Sequence, residues 1–212
     1  MHIVLAADTA DESIGPSCDV DLANMRLLLI GGLPYQTVER AVELTGPNPG
    51  GPPAGQVLSR NSFLAAVRDA IAAAGPDDAV LVYYSGHGVE WRGRGHVLNV
   101  PGGDVTREQV RSLLAAGPQR LSVLLTDSCS TAVPPPEVET AAAPAARTDA
   151  APAMVSLLYR ARGFVDMSGS APGEFAMGDG TIGGYFTAAL TSYLRENLET
   201  PLTWAGVEAA VR

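Results

Sequence analysis

Two short polar motifs contain the residue types that could do chemistry. Ser85-Gly86-His87-Gly88 follows the apolar run 79–84, and Asp127-Ser128-Cys129-Ser130 follows the run 121–126. A histidine between glycines is uncrowded, and imidazole is the side chain that changes charge near neutral pH, which suits a general acid or base. Taken alone, such a histidine is more often a structural hydrogen-bonder or a metal ligand. A lone cysteine most often fills space in a core. Cys129 instead has Asp127, Ser128, Ser130 and Thr131 around it, which places its thiol in a polar loop where it can be reached and ionised. A thiolate beside an imidazole performs acyl transfer, the sulfur attacking a carbonyl while the imidazole moves the proton. The backbone N–H groups of Gly88 and Cys129 are candidate oxyanion donors, since glycine lets the main chain approach a ligand closely.

The elements around the motifs bring them together. Residues 79–84 and 121–126 are uninterrupted β-favouring runs, as strands buried on both faces require. Between them Val105–Ala116 has the pattern of a helix beginning near Thr106, so the succession implies a right-handed parallel crossover with both motifs on one rim. In open α/β sheets that rim, at the carboxyl ends of the strands, holds the functional crevice. Further strands are predicted at His2–Ala7, Gly163–Ser168 and, exposed or at an edge, Val38–Leu44. Helices are predicted over Asp19–Ile30, from a cap at Asn61-Ser62 to Ala74, over Gly184–Asn197 and, capped by Thr203, over Thr203–Val211. Thr45–Gly55 reads as a loop, and the Ala/Pro-rich stretch at about 133–153 as a mobile surface loop.

Composition narrows the function classes. The 212 residues suit one α/β domain, and 46% hydrophobic with 17% charged residues is globular rather than disordered composition. Net charge is −9 and all fourteen basic residues are scattered arginines, so no basic stripe offers itself to nucleic acid. No apolar run is long enough for a membrane span, and the N-terminus lacks the basic region of a signal peptide, so the cytoplasm is the expected compartment. Cys18 and Cys129 are too few for a disulfide framework. His2, His87, His96 and the two cysteines show no CxxC or HExxH spacing, so no metal site is expected. The chain ends inside a helical pattern at Arg212 without a cap signal, so further domains of a longer chain are expected.

A strand with Ser85-Gly86-His87-Gly88, then about 40 residues later a strand with Asp127-Ser128-Cys129, resembles the caspase-like cysteine peptidases, specifically the metacaspase branch. The hairpin-like 91–100, the strand at 163–170 and Gly183-Gly184-Tyr185-Phe186-Thr187 before a helix follow that family in order. The resemblance implies one α/β caspase-like peptidase domain over 1–212, a three-layer sandwich whose mostly parallel central sheet carries helices on both faces. It implies that Cys129 forms an acyl-enzyme and that His87 protonates the departing amine and then activates water, with no third catalytic residue required. Ser130-Thr131-Ala132 replaces the family's usual His-Ser-Gly, and the Gln-Ala-Cys of true caspases is absent, which argues against a demand for aspartate in the substrate. Many metacaspases use a calcium site of carboxylates. Here only Asp104, Glu137 and Glu139 stand nearby, without a paired aspartate. No cofactor is therefore expected to be required, calcium being the one ion the resemblance leaves open.

Metacaspases line their first specificity pocket with a Cys-x-x-Asp, the serine before the glycine-flanked histidine and the aspartate before the nucleophile. The matching residues are Cys18, Asp21, Ser85 and Asp127. Asp19 and Asp21 also read simply as acids complementing a helix N-terminus. With the motif, Asp21 is the expected pocket floor, and peptide or protein substrates with Arg, then Lys, before the cleaved bond are the expected partners. Self-cleavage is expected between Val133 and Arg162, at Arg147, Arg160 or Arg162. Two rivals remain: a caspase-like module without turnover that binds or scaffolds, and a flavodoxin-like binding domain, although no Gly-rich phosphate loop follows the first strand.

Overall fold

The computed structural model describes residues 1–31, 38–47, 56–129 and 151–212. Five parallel strands form the central sheet in the order β2-β1-β3-β7-β8: β1 (His2–Ala7), β2 (Arg40–Leu44), β3 (Ala79–Ser85), β7 (Leu121–Asp127) and β8 (Gly163–Ser168). The chain passes from β1 out to β2, then back across β1 to β3, so the strand order reverses between β1 and β3. Such a switch point opens a crevice beyond the strand ends.

Alternation along the strands feeds two cores. Ile3, Leu5, Leu81, Tyr83, Val123 and Leu125 pack on one face, against α1 (Gly15–Arg26), α5 (Tyr185–Glu196) and α6 (Trp204–Val211). Val4, Ala6, Val80, Val82, Tyr84 and Leu124 pack on the other, against α2 (Arg60–Ala73) and α3 (Arg107–Ala115). The result is the expected three-layer sandwich with helices on both faces. β4 (Gly88–Trp91), β5 (Gly95–Leu98) and β6 (Val105–Thr106) make a small antiparallel sheet between β3 and α3. A two-stranded pair, β9 (Gly178–Asp179) with β10 (Gly183–Gly184), precedes α5.

Several boundaries differ from the sequence-based expectation. α1 begins at Gly15, four residues early, because Pro16 sits in the first turn, where a missing N–H costs nothing. It continues as a π-helical turn over Leu27–Gly31. α2 is capped by Ser59 rather than Asn61-Ser62: the Ser59 side chain accepts from Ser62 N–H while the Ser62 hydroxyl accepts from Ser59 N–H. Thr106 and Thr203 cap α3 and α6 as expected.

Residues 151–162 are not part of a loose loop. α4 (Pro152–Met154) runs into a π-helical segment, Val155–Arg160, that buries Met154, Leu157 and Leu158 in the first core. The Arg120 guanidinium bonds the carbonyls of Leu158 and Ala161, and Gly163 N–H donates to Arg120 O at 2.9 Å. Arg160 and Arg162 thus lie on a packed segment, whereas Arg147, Glu137, Glu139 and Ser130-Thr131-Ala132 lie outside the described residues.

Candidate active site

The central sheet brings the two motifs together. β3 and β7 are neighbours with Ser85 opposite Asp127, and Gly86 N–H donates to Asp127 O at 3.1 Å. His87 and Cys129 therefore leave adjacent strand ends in the same direction. Gly88 packs directly against the Ser128-Cys129 loop: a Cβ there would stand 2.6 Å from Cys129 O and 3.0 Å from Ser128 Cβ, so only glycine allows this approach. Of the two expected oxyanion donors, Gly88 thus abuts the residue that supplies the other.

His87 and Cys129 are each held by groups that spacing did not reveal. The His87 ring faces the switch-point crevice, where its Nε2 lies 3.4 Å from Asp11 Oδ2 and 3.3 Å from Ser13 Oγ. Burial pushes the Asp11 carboxyl up. Bonds from Ser13 Oγ, Ser13 N–H and Ile14 N–H, with the His87 charge, outweigh it and hold the carboxyl below its usual range. Asp11 is therefore an ionised orienting group for the imidazole, from a loop after β1 with no motif to mark it. Tyr84 Oη and Asn99 N–H both donate to His87 O, fixing the main chain behind the ring.

Cys129 is half-buried, and its thiol donates to Ala176 O at 3.2 Å; no hydrogen bond joins it to His87. His96 on β5 places its Nε2 3.1 Å from Cys129 O and 3.2 Å from Ser128 Oγ. Burial, then the nearby Arg107 charge, lowers the His96 pKa, so the ring is neutral and its Nε2–H donates to the carbonyl. Ser170 Oγ donates to Ser128 O at 2.9 Å. The Ser128-Cys129 loop is thus tied down from β5 and from the end of β8. Burial, with the Asp127 charge adding to it, raises the Cys129 thiol pKa.

The four expected pocket residues meet in one buried network. Ser85 Oγ donates to Asp21 Oδ2 at 2.6 Å, Gly184 N–H donates to Asp21 Oδ1 at 2.7 Å, and Cys18 lies beside them in the same core. Asp127 Oδ2 accepts from Thr187 N–H at 2.9 Å and Thr187 Oγ1 at 2.8 Å. Asp19, one position from a buried face, is exposed. The floor is roofed rather than open, however. A Cβ on Gly183 would lie 2.2 Å from Asp21 Oδ1, and one on Gly184 2.1 Å from Asp127 Oδ2, so this glycine pair lies flat on both carboxylates. Gly183, at φ +89°, also needs the left-handed backbone.

The family model of the caspase domain, peptidase family C14, matches residues 15–207. The chain belongs to the caspase domain family. Membership makes the fold that of a cysteine peptidase. Two solved structures share the fold at low identity. Protein GSU0716 from Geobacter sulfurreducens aligns at TM-score 0.63 and 14% identity, over 99% of this chain and 86% of that one. Caspase-1 from Spodoptera frugiperda aligns at TM-score 0.54 and 14% identity, over 92% of this chain and 69% of that one. No curated protein sequence matches significantly.

Within this caspase domain the Asp21–Asp127 pair makes stability depend on pH. Burial raises Asp127 to about 6, against the pull of its Thr187 bonds. Burial, then the Asp127 charge, raises Asp21 well above the usual carboxylate range. A carboxyl with a raised folded pKa contributes stability that is complete below its unfolded pKa and is lost as pH rises through the folded value. The domain should therefore lose roughly 2–3 kcal/mol of stability through Asp127 between about pH 4 and 7. Asp127→Asn keeps an oxygen for both Thr187 bonds and should flatten that part of the curve, as urea unfolding at pH 5 and pH 8 would show. A variant with the wild-type slope would mean that Asp127 does not carry the pH dependence.

Of the three carboxylates near the nucleophile motif, Asp104 alone lies among the described residues. Asp104 Oδ1 accepts from Asn99 Nδ2 at 3.0 Å, and its carbonyl accepts from Arg60 Nε at 3.2 Å. No helix of the described residues is long and apolar enough to cross a membrane.

Proposed function

We propose that this caspase domain is a cysteine endopeptidase of the metacaspase branch that cleaves after arginine, and less readily lysine, through His87 and Cys129. The observation that carries this reading is the pairing of Ser85 with Asp127 on adjacent parallel strands, which puts both motifs on one rim with Gly88 against Cys129. Cys129 Sγ passes its proton to His87 as it attacks the scissile carbonyl, and the oxyanion lies against the N–H groups of Gly88 and Cys129. His87, turned by Asp11, gives its proton to the departing amine, leaving an acyl-enzyme. The imidazole then takes a proton from water, which attacks the thioester and frees the thiol. His87 suits this traffic because its side chain is 44% exposed.

Basic specificity rests on Asp21 and Asp127. Two carboxylates buried within one network repel each other, and a guanidinium entering between them would remove that cost by bonding both in a fork. An aspartate side chain would add negative charge beside a pair that already repels and be rejected. Because Gly183-Gly184 covers the pair, entry requires the β9–β10 segment to lift, and binding of a cationic residue would favour the lifted form.

Fluorogenic peptides differing only in Arg, Lys or Asp before the cleaved bond test the reading, with and without calcium. Arg should exceed Lys, Asp should be inert, and calcium should change little. Faster cleavage of the Asp peptide would refute both the pocket and the branch.

The same activity turned on the chain itself should cut after Arg147 first. Arg160 and Arg162 lie on a segment held by Leu157, Leu158 and the Arg120 bonds, and a peptidase needs several residues of extended substrate. Mass spectrometry of wild type beside Cys129→Ala should find the Arg147 fragments only in the wild type. A module without turnover is the second reading, favoured by the Cys129 bond to Ala176 O and the covered carboxylates; it predicts no cleavage of any of the three peptides.

A further inference from the structure

The rim opposite His87 and Cys129 holds a cluster for which peptide cleavage has no use. His2 opens β1, Glu39 immediately precedes β2 and Asp78 immediately precedes β3, and the order β2-β1-β3 makes these three strand starts neighbours. His2 is 2% exposed, yet neither of its ring nitrogens has a hydrogen-bond partner. Its Nε2 points between two carboxylates, 3.5 Å from Glu39 Oε2 and 3.5 Å from Asp78 Oδ2. The three atoms lie within 4.8 Å of one another. A buried imidazole whose nitrogens make no hydrogen bond costs free energy that a bound group would recover.

We propose that His2, Glu39 and Asp78 bind one zinc-like divalent cation that fastens the starts of β1, β2 and β3. Zinc lies about 2.0–2.1 Å from imidazole nitrogen and carboxylate oxygen, so ligands around a tetrahedral ion stand roughly 3.3–3.4 Å apart. Both separations from His2 are close to that edge length. A neutral imidazole with two carboxylates cancels the charge of a divalent ion, and one nitrogen with two oxygens suits zinc, whereas calcium and magnesium take oxygen alone.

The ligands are also held in readiness. Gly75 N–H donates to Asp78 Oδ2 at 2.7 Å and fixes the carboxylate beside His2. The terminal amine lies 3.9 Å from Asp78 Oδ1, the oxygen turned away from His2. Glu39 is 60% exposed and free to swing the short distance that closes the site, leaving a fourth position for water. The ligands come from three strands far apart in sequence, which is why no spacing motif marks them.

The test is titration of Zn²⁺ into the full chain carrying His87→Ala, His96→Ala and Cys129→Ala, which removes the two other imidazoles and the half-buried thiol that could take the metal. One Zn²⁺ per chain should bind, and Tm should rise by roughly 5–10 °C at a hundredfold excess over Kd. Mg²⁺ and Ca²⁺ should leave Tm unchanged. Glu39→Gln and His2→Gln, each on the same background, should weaken zinc binding at least tenfold; Glu39→Gln alters an exposed side chain and decides the matter if His2→Gln does not fold. Co²⁺ in place of zinc should show four-coordinate absorption without a thiolate charge-transfer band, excluding Cys18. Absence of zinc binding, affinity unchanged by Glu39→Gln, or an equal response to Ca²⁺ would overturn the site.

Discussion

Cys129→Ala should abolish peptide hydrolysis while the domain stays folded, with a stability change of at most about 1 kcal/mol. The thiol is half-buried and makes one weak bond, to Ala176 O, so its loss opens no large cavity and orphans only a carbonyl. Activity depends on it wholly, because without a nucleophile there is no acyl-enzyme to form. The check is turnover of an Arg peptide beside Tm for wild type and variant. Activity retained at more than about one part in a thousand would place the nucleophile elsewhere. Loss of both activity and Tm would show Cys129 to be structural. Cys18 is no substitute nucleophile, since burial, opposed only by a Ser85 hydrogen bond, drives its thiol up to about 12.

His87→Ala should lower turnover by roughly two to four orders of magnitude, the usual span for a general acid or base. The pH profile separates this role from simple packing. With His87 gone, attack waits on ionisation of a thiol that burial and Asp127 hold high, so the remaining activity should climb through alkaline pH. Asp11→Asn should give a smaller loss with the wild-type profile shape, because Asp11 turns the ring without handling the proton. A His87→Ala variant that keeps the wild-type profile would remove the imidazole from the mechanism.

Much of this site could be read from the order of residues, for a physical reason. Runs 79–84 and 121–126 are buried at every position and apolar but for Ser122 and Thr126, because both faces of β3 and β7 are covered, and a change to an unbroken polar stretch at a buried strand end marks the rim. What escaped lies across the sheet from its partner. Asp11 reaches His87 from the switch-point loop, His96 reaches Cys129 O from an antiparallel strand, and Thr187 caps Asp127 from α5. None is near its partner in sequence.

The helix over 152–160 was missed for a local reason. Pro152 reads as a breaker but stands in the first turn, and Leu157-Leu158 with Ala153-Met154 make too short a segment for a 3.6-residue period to emerge. The roof over Asp21 and Asp127 was equally hidden: Gly183-Gly184 announces a turn, while its closeness to two carboxylates is a matter of tertiary packing.

The central claim is that Cys129 is a nucleophile activated by His87 and served by a pocket for a basic residue. A peptidyl acyloxymethyl ketone ending in arginine, followed by mass spectrometric mapping, tests it most directly, because the label reacts only where a thiolate, an oxyanion site and a matching pocket coincide. The account predicts one adduct per chain, on Cys129, strongly reduced by His87→Ala and by Asp127→Ala and absent with the aspartate version of the probe. Labelling of Cys18, labelling indifferent to the probe's side chain, or no labelling of the native chain would contradict it.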